Sequence, residues 1–227
     1  MNMPKTDISP PKTTVFIVDD HPLVRDWLSR LINEEKDLGV CGWADKADDA
    51  ISAIERLKPG ISIIDIGLRG KSGLELIRFL TDQNPEELIL VLSMHDEAVY
   101  ASRALKMGAR GYVSKRDTTE KVIMAIRRIL AGGMYISETL AEALARELSR
   151  NKNPVLAGDV SLLSDRELEV FRLLAAGRET SEIAKDLSVS PKTVQSYCAR
   201  IKEKLNLRNA TELLQAATRW FDAQNSL

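Results

Sequence analysis

The chain has 227 residues, 44% hydrophobic and 29% charged, with a formal net charge of −1. This composition excludes a disordered chain or a disulfide scaffold, and it gives no bulk electrostatic pull toward nucleic acid or membrane, so any such affinity must come from a local patch. Two cysteines, Cys41 and Cys198, suggest no zinc site, and no apolar run reaches the roughly 18 residues of a membrane span, so a reducing, cytoplasmic setting without a membrane partner is expected.

Residues 1–12 are polar and lack a signal-peptide core. Residues 14–18 form an apolar, β-branched run closed by Asp19 and Asp20, which predicts a buried strand. Leu23, Val24, Trp27, Leu28, Leu31 and Ile32 then repeat on one helical face. A short strand is expected at 40–43, and a helix through Ala50, Ile54 and Leu57 that Pro59 and Gly60 end. Residues 61–67 are a second Ile-rich strand carrying Asp65 at its carboxyl end. A helix follows through Leu74, Ile77 and Leu80, then a strand over 88–92 ending at Ser93, and a weakly apolar helix over 98–107. A strand over 111–114 precedes Lys115, and Asp117 with Glu120 resembles a capping box opening a helix that Gly132 and Gly133 stop. Five strands alternating with helices predict an α/β fold: a doubly wound, five-stranded parallel sheet of flavodoxin type.

Leu140, Leu144 and Leu148 give residues 138–150 one narrow apolar face, which predicts a linker helix; 151–161 read as a flexible tether. The remainder is predicted all-α. Ser164 and Glu167 form a capping box, Ile183, Ala184 and Leu187 mark a short helix, and Ser190-Pro191 starts a longer one. Asn209 with Glu212 caps the last. Two helices joined by a short turn, the second basic, have the helix-turn-helix pattern.

Asp19, Asp20 and Asp65 end two strands. Three converging carboxylates repel, and a divalent cation such as Mg²⁺ relieves that. Ser93 and Lys115 end two further strands on the same edge. A hydroxyl and an ammonium facing such a site suit a phosphoryl group attacked by a carboxylate. With these residues and Tyr112, residues 14–133 resemble a receiver domain of two-component signalling. The resemblance implies that Asp65 is the phosphoacceptor, with Asp20 and the carbonyl of Gly67 binding Mg²⁺ and Asp19 assisting through water. It also implies that Ser93 closes on the phosphoryl oxygen while Tyr112 rotates inward. Arg69 departs from the Met-Pro-Gly common in the family. The bulky Met94 after Ser93 is expected to restrict access by water and so lengthen the phosphoryl lifetime.

On the basic helix, Val194, Cys198, Ile201 and Leu205 are expected inward. The candidate DNA contacts are Lys192, Thr193, Gln195, Ser196, Tyr197, Ala199, Arg200, Lys202, Lys204 and Arg208. Gln and Arg suit base edges, and the lysines and Arg208 suit phosphates. The runs at 163–170, 182–184 and 190–194 make residues 161–225 similar to the LuxR-type helix-turn-helix of NarL/FixJ response regulators. Gln195 stands where that family commonly has Lys. The expected division is therefore 12–135 receiver, 136–160 linker and 161–227 DNA-binding domain.

The resemblance implies a transcriptional regulator, not an enzyme, phosphorylated by a sensor histidine kinase and binding double-stranded DNA in the major groove as a homodimer. Without phosphate, the receiver is expected to mask the recognition helix. A haloacid-dehalogenase-type phosphatase also uses an Asp nucleophile, but needs an acid/base Asp where this chain has Gly67. A regulator with a silent acceptor is the other alternative. His21 and His95 lack metal-ligand spacing, Cys198 is expected to be a packing residue, and Trp27, Trp43 and Trp220 are expected in core or interface.

Overall fold

A computed structural model describes residues 12–94, 97–138, 140–142, 145 and 160–225. Its N-terminal part is one sheet of five parallel strands in the order β2-β1-β3-β4-β5: β1 Thr13–Val18, β2 Leu38–Ala44, β3 Ile61–Ile64, β4 Ile89–Ser93 and β5 Gly111–Ser114. Each strand is followed by a helix: α1 Pro22–Glu34, α2 Ala47–Leu57, α3 Gly73–Gln83, α4 Glu97–Lys106 and α5 Thr119–Leu130. The α/β expectation is met in element type and order.

Period-2 side-chain alternation sorts the two faces. Val15, Ile17, Ile61, Ile63, Leu90 and Leu92 pack under α1 and α5. Phe16, Val18, Ile64, Ile89 and Val91 pack under α2, α3 and α4. Both faces are covered, which is why the strands read as unbroken apolar runs. The order reverses beside β1, so the carboxyl ends of β1 and β3 flank the crevice where ligands of such sheets bind.

The C-terminal part comprises a 3₁₀ turn at Val160–Leu162 and helices α6 Asp165–Ala175, α7 Thr180–Asp186, α8 Pro191–Lys204 and α9 Ala210–Asn225. Ser164 and Glu167 form the expected capping box, Ser190 caps α8 through Thr193 N, and Asn209 Oδ1 accepts from Glu212 N. The apolar cluster under α2–α4 runs on without a break through Leu140 and Leu163 into Leu168, Phe171 and Ile201.

Two expectations differ, and a third lies mostly outside the described residues. Asp117 does not cap α5: its Oδ2 accepts from Ser114 N and its Oδ1 pairs with Lys121, while Thr118 holds the N-cap position. Residue 160, expected in the tether, is already in the 3₁₀ turn, held by Arg103. Of the expected linker helix, residues 138, 140–142 and 145 are helical, whereas Leu144, Leu148 and residues 151–159 lie outside the described residues, as does His95.

Candidate functional site: an acidic crevice and an exposed basic helix

Asp19 and Asp20 follow β1, and Asp65 follows β3, whose pairing with β1 places them together. One ligand atom from each of Asp19, Asp20, Asp65 and His21 lies within 4.8 Å of the others. The Asp65 backbone is fixed by donation to Val18 O at 2.8 Å, and its Oδ1 accepts from Gly67 N at 3.2 Å. Gly73, at the start of α3, seals this corner: a Cβ there would stand 1.9 Å from Asp65 O, so only glycine lets the helix approach.

Lys115 Nζ lies 2.5 Å from Asp65 Oδ2 and 2.6 Å from Asp19 Oδ2, bridging the two carboxylates. Asp19 is 2% exposed and Asp65 4% exposed. Burial alone pulls the Lys115 pKa down, but the charges and hydrogen bonds of Asp65 and Asp19 outweigh it and hold the ammonium above its ordinary value. Lys115 therefore stays charged, as two buried carboxylates require.

Asp20 is treated differently. Its Oδ2 meets Arg69 Nε at 3.3 Å. Its Oδ1 is buried without a hydrogen-bond partner; His21 Nδ1 is 2.8 Å away but not aligned to donate. A buried carboxylate oxygen left unpaired beside two more carboxylates is a donor set that fits a hard divalent cation.

Ser93 and Tyr112 are fully buried on neighbouring strands and share a hydrogen bond. Burial, then the Asp65 charge, push the Tyr112 phenol far above its ordinary pKa, so it remains a neutral hydroxyl. The ring is already inward in this structure, where the sequence reading has it rotating inward. Met94 is exposed at the rim.

On α8, Val194 and Ile201 are buried and Cys198 half-buried, and Leu205, directly after the helix, is buried. Lys192, Gln195, Ser196, Ala199 and Arg200 are exposed, with Thr193, Tyr197 and Lys202 half-buried. An open depression of about 350 Å³ is lined by Ser190, Lys192, Thr193, Ser196, Tyr197 and Arg200. The face is thus not masked by the receiver, contrary to expectation. The receiver instead bonds to α6 and to the segment that enters it. Lys204 is also not a free cation: its Nζ lies 2.6 Å from Glu167 Oε2, a carboxylate 3% exposed.

Residues 15–127 match the family "Response regulator receiver domain", and 161–217 match "Bacterial regulatory proteins, luxR family". The chain is 34% identical over 207 residues to the oxygen regulatory protein NreC of Staphylococcus aureus, covering 89% of this chain and 95% of that one. It belongs to the NarL/FixJ family of response regulators. Such a response regulator is a transcription regulator and not an enzyme, in keeping with Gly67 where a phosphatase of the dehalogenase type needs its acid. A structure of Salmonella typhimurium RcsB is similar with a TM-score of 0.67 and 26% identity, over 92% of this chain and 98% of that one. RcsB from Salmonella enterica serovar Typhimurium, bound to promoter rprA with the phosphomimetic BeF₃⁻, matches with a TM-score of 0.63 and 25% identity, over 92% and 99%. Among the described residues, no helix of this response regulator is long and apolar enough to cross a membrane.

The sequence reading missed the contacts between the two parts. Arg166 donates to both Glu75 carboxylate oxygens, at 3.2 and 2.8 Å, and to Gly70 O. Arg103 donates to Leu163 O at 2.8 Å, Asp165 Oδ1 at 2.9 Å and Val160 O at 3.0 Å. Both arginines are mostly buried. No local motif announces them, because each pairs with a residue at least 57 positions away.

Proposed function

We propose that this chain is a cytoplasmic transcriptional regulator that binds the major groove of double-stranded DNA through α8, with a receiver spanning 12–135 that is phosphorylated on Asp65. A sensor histidine kinase would be the donor, and phosphorylation would favour a homodimer. The observation that carries this is the Lys115 bridge: one buried ammonium 2.5 Å from Asp65 and 2.6 Å from Asp19, at the ligand-binding edge of the sheet.

Asp20, Asp65 and the Gly67 carbonyl would hold Mg²⁺, with Asp19 behind them; when bound, the ion neutralises charge on the transferring phosphoryl group. Asp65 supplies the nucleophilic carboxylate oxygen. Lys115 is already placed to neutralise a phosphoryl oxygen once the bond forms. Ser93 would turn its hydroxyl to donate to that oxygen, and because it is hydrogen-bonded to Tyr112 this would couple acceptor chemistry to the α4–β5 face.

On DNA, Lys192, Arg200, Lys202 and Arg208 would meet phosphates or base edges, with Gln195, Ser196, Tyr197, Thr193 and Ala199 in the groove. The exposed α8 face supports this. Incubation with acetyl phosphate and Mg²⁺ should drive dimerisation and raise operator affinity. Asp65→Asn should do neither. An Asp65→Asn chain that dimerises and binds DNA as the wild type does under phosphorylation would overturn the reading.

A further inference from the structure

Arg166 ties α6 to the β3–α3 loop through Gly70 O, and to the first turn of α3 through Glu75. Arg103 ties α4 to the segment entering α6. These bonds hold the helix-turn-helix domain over the carboxyl end of the sheet, where Asp65 lies. Between the two parts a cleft of about 450 Å³ remains. One wall is Asp20, Gly67, Leu68 and Arg69; the other comes from α6 and from residues 185–188.

Size decides what this cleft admits. A helix is about 10–12 Å across and rises 5.4 Å per turn, so a single turn fills roughly 450 Å³. A histidine presented on a protein helix brings several turns and their neighbours. A small phosphorylated molecule fits with room for its water. Arg69, Arg172 and Lys185 line the cleft together with Asp20, Glu169 and Asp186, so its formal charge is balanced, but Arg172 Nε is a buried donor without a partner. A small anion would find donors there.

We propose that the docked helix-turn-helix domain selects the phosphodonor: with Arg166 and Arg103 engaged, Asp65 is reachable by small phosphorylated molecules through the inter-domain cleft and closed to a phosphohistidine carried on a protein. This rests on Asp65 being the acceptor. Either transfer forms the same bond, from an Asp65 carboxylate oxygen to phosphorus. With an acyl phosphate, the acyl oxygen–phosphorus bond breaks and a carboxylate leaves. With a phosphoimidazole, the phosphorus–nitrogen bond breaks, and the ring leaves with the electron pair and takes a proton from water.

The test uses the full chain as wild type, Arg166→Ala and Arg103→Ala, with Mg²⁺. The donors are acetyl phosphate, N-phosphoimidazole and a purified phosphorylated four-helix histidine phosphotransfer domain. N-phosphoimidazole shares its leaving group with the domain, so comparing the two isolates size. Arg166 also pairs with Glu169 on its own helix, whereas the bonds of Arg103 to Val160, Leu163 and Asp165 cross the interface, so Arg103→Ala serves if Arg166→Ala melts early. Labelling from the phosphotransfer domain should rise at least tenfold in the variants, and labelling from both small donors should stay within twofold. Equal acceleration for all donors, or no acceleration from the phosphotransfer domain, overturns the proposal. Labelling that persists in Asp65→Asn overturns the acceptor assignment instead.

Discussion

At the scale of single residues, the acidic crevice is organised by which cation each carboxylate already has. Asp19 and Asp65 share a buried lysine that no solvent screens. Asp20 has Arg69, whose side chain is 82% exposed, and so only a weak partner. Arg69 and a divalent ion would compete for the same carboxylate. An exposed pair of this kind contributes about 0.2–1 kcal/mol, so Arg69→Gln should tighten Mg²⁺ by roughly 1.5- to 5-fold. Calorimetric titration reads this directly; weaker Mg²⁺ binding in Arg69→Gln would mean that Arg69 organises the loop and does not compete. Asp19, Asp20, Asp65, Ser93 and Lys115 were legible in sequence because each ends an apolar strand, and a parallel sheet gathers its strand ends at one edge. The role of Arg69 was not legible. Its reach to Asp20 depends on the path of an irregular loop, which no periodicity encodes.

At the scale of elements, the recognition helix looks uniformly basic in sequence, but its cations divide into two kinds. Lys192 and Arg200 are exposed, and neither forms an ion pair among the described residues. Lys204 spans to the buried Glu167, whose Oε2 accepts both from Lys204 Nζ and from Ser164 N at the N-cap of α6, 2.7 Å away. Burial raises the Glu167 pKa, but Lys204 and Ser164 lower it further, so the net shift is downward. A depressed carboxylate stabilises the fold above its unfolded pKa, and that stability is lost as pH falls through the folded one. Lys204→Met should therefore cost about 1–2 kcal/mol at neutral pH, less than a fully buried pair because the ammonium is 39% exposed. Urea unfolding checks this, and acid unfolding should begin at higher pH. The slope of log affinity against log salt should hardly change in Lys204→Met, yet fall by about one unit in Lys192→Met. The capping box at Ser164 and the N-cap at Ser190 were readable because they are local. The Lys204–Glu167 pair joins two helices 37 residues apart, and a tally of charges along one helix cannot see it.

At the scale of the molecule, the apolar core continues from the sheet into the helical part, so the two are packed and not merely tethered. Docking nevertheless leaves the reading face of α8 exposed, so restraint cannot work by covering it. It would work by fixing where that face points. In the proposed dimer, two copies would present their helices to half-sites about 10–10.5 bp apart, and a domain bolted to its own α3 and α4 could not turn to meet that spacing. Both bolts sit on elements that phosphorylation of Asp65 would disturb: Gly70 lies in the loop carrying Gly67, and Arg103 lies on α4, which packs on the strand carrying Tyr112. Moving such a balance from 1:99 to 99:1 takes about 5.5 kcal/mol. Hydrogen bonds to a charged group contribute roughly 1.5–3 kcal/mol each, so losing the three made by Arg103 covers much of that. Arg103→Ala should thus be expanded before any phosphorylation, with a larger radius of gyration by small-angle scattering, while the wild type expands only with beryllofluoride and Mg²⁺. Coupling is reciprocal, so the undocked variant should also bind beryllofluoride more tightly, by about 5- to 150-fold for a coupling of 1–3 kcal/mol. Expansion of Arg103→Ala with unchanged beryllofluoride affinity would show that the domains part without informing Asp65, and the two sites would then be neighbours rather than a switch.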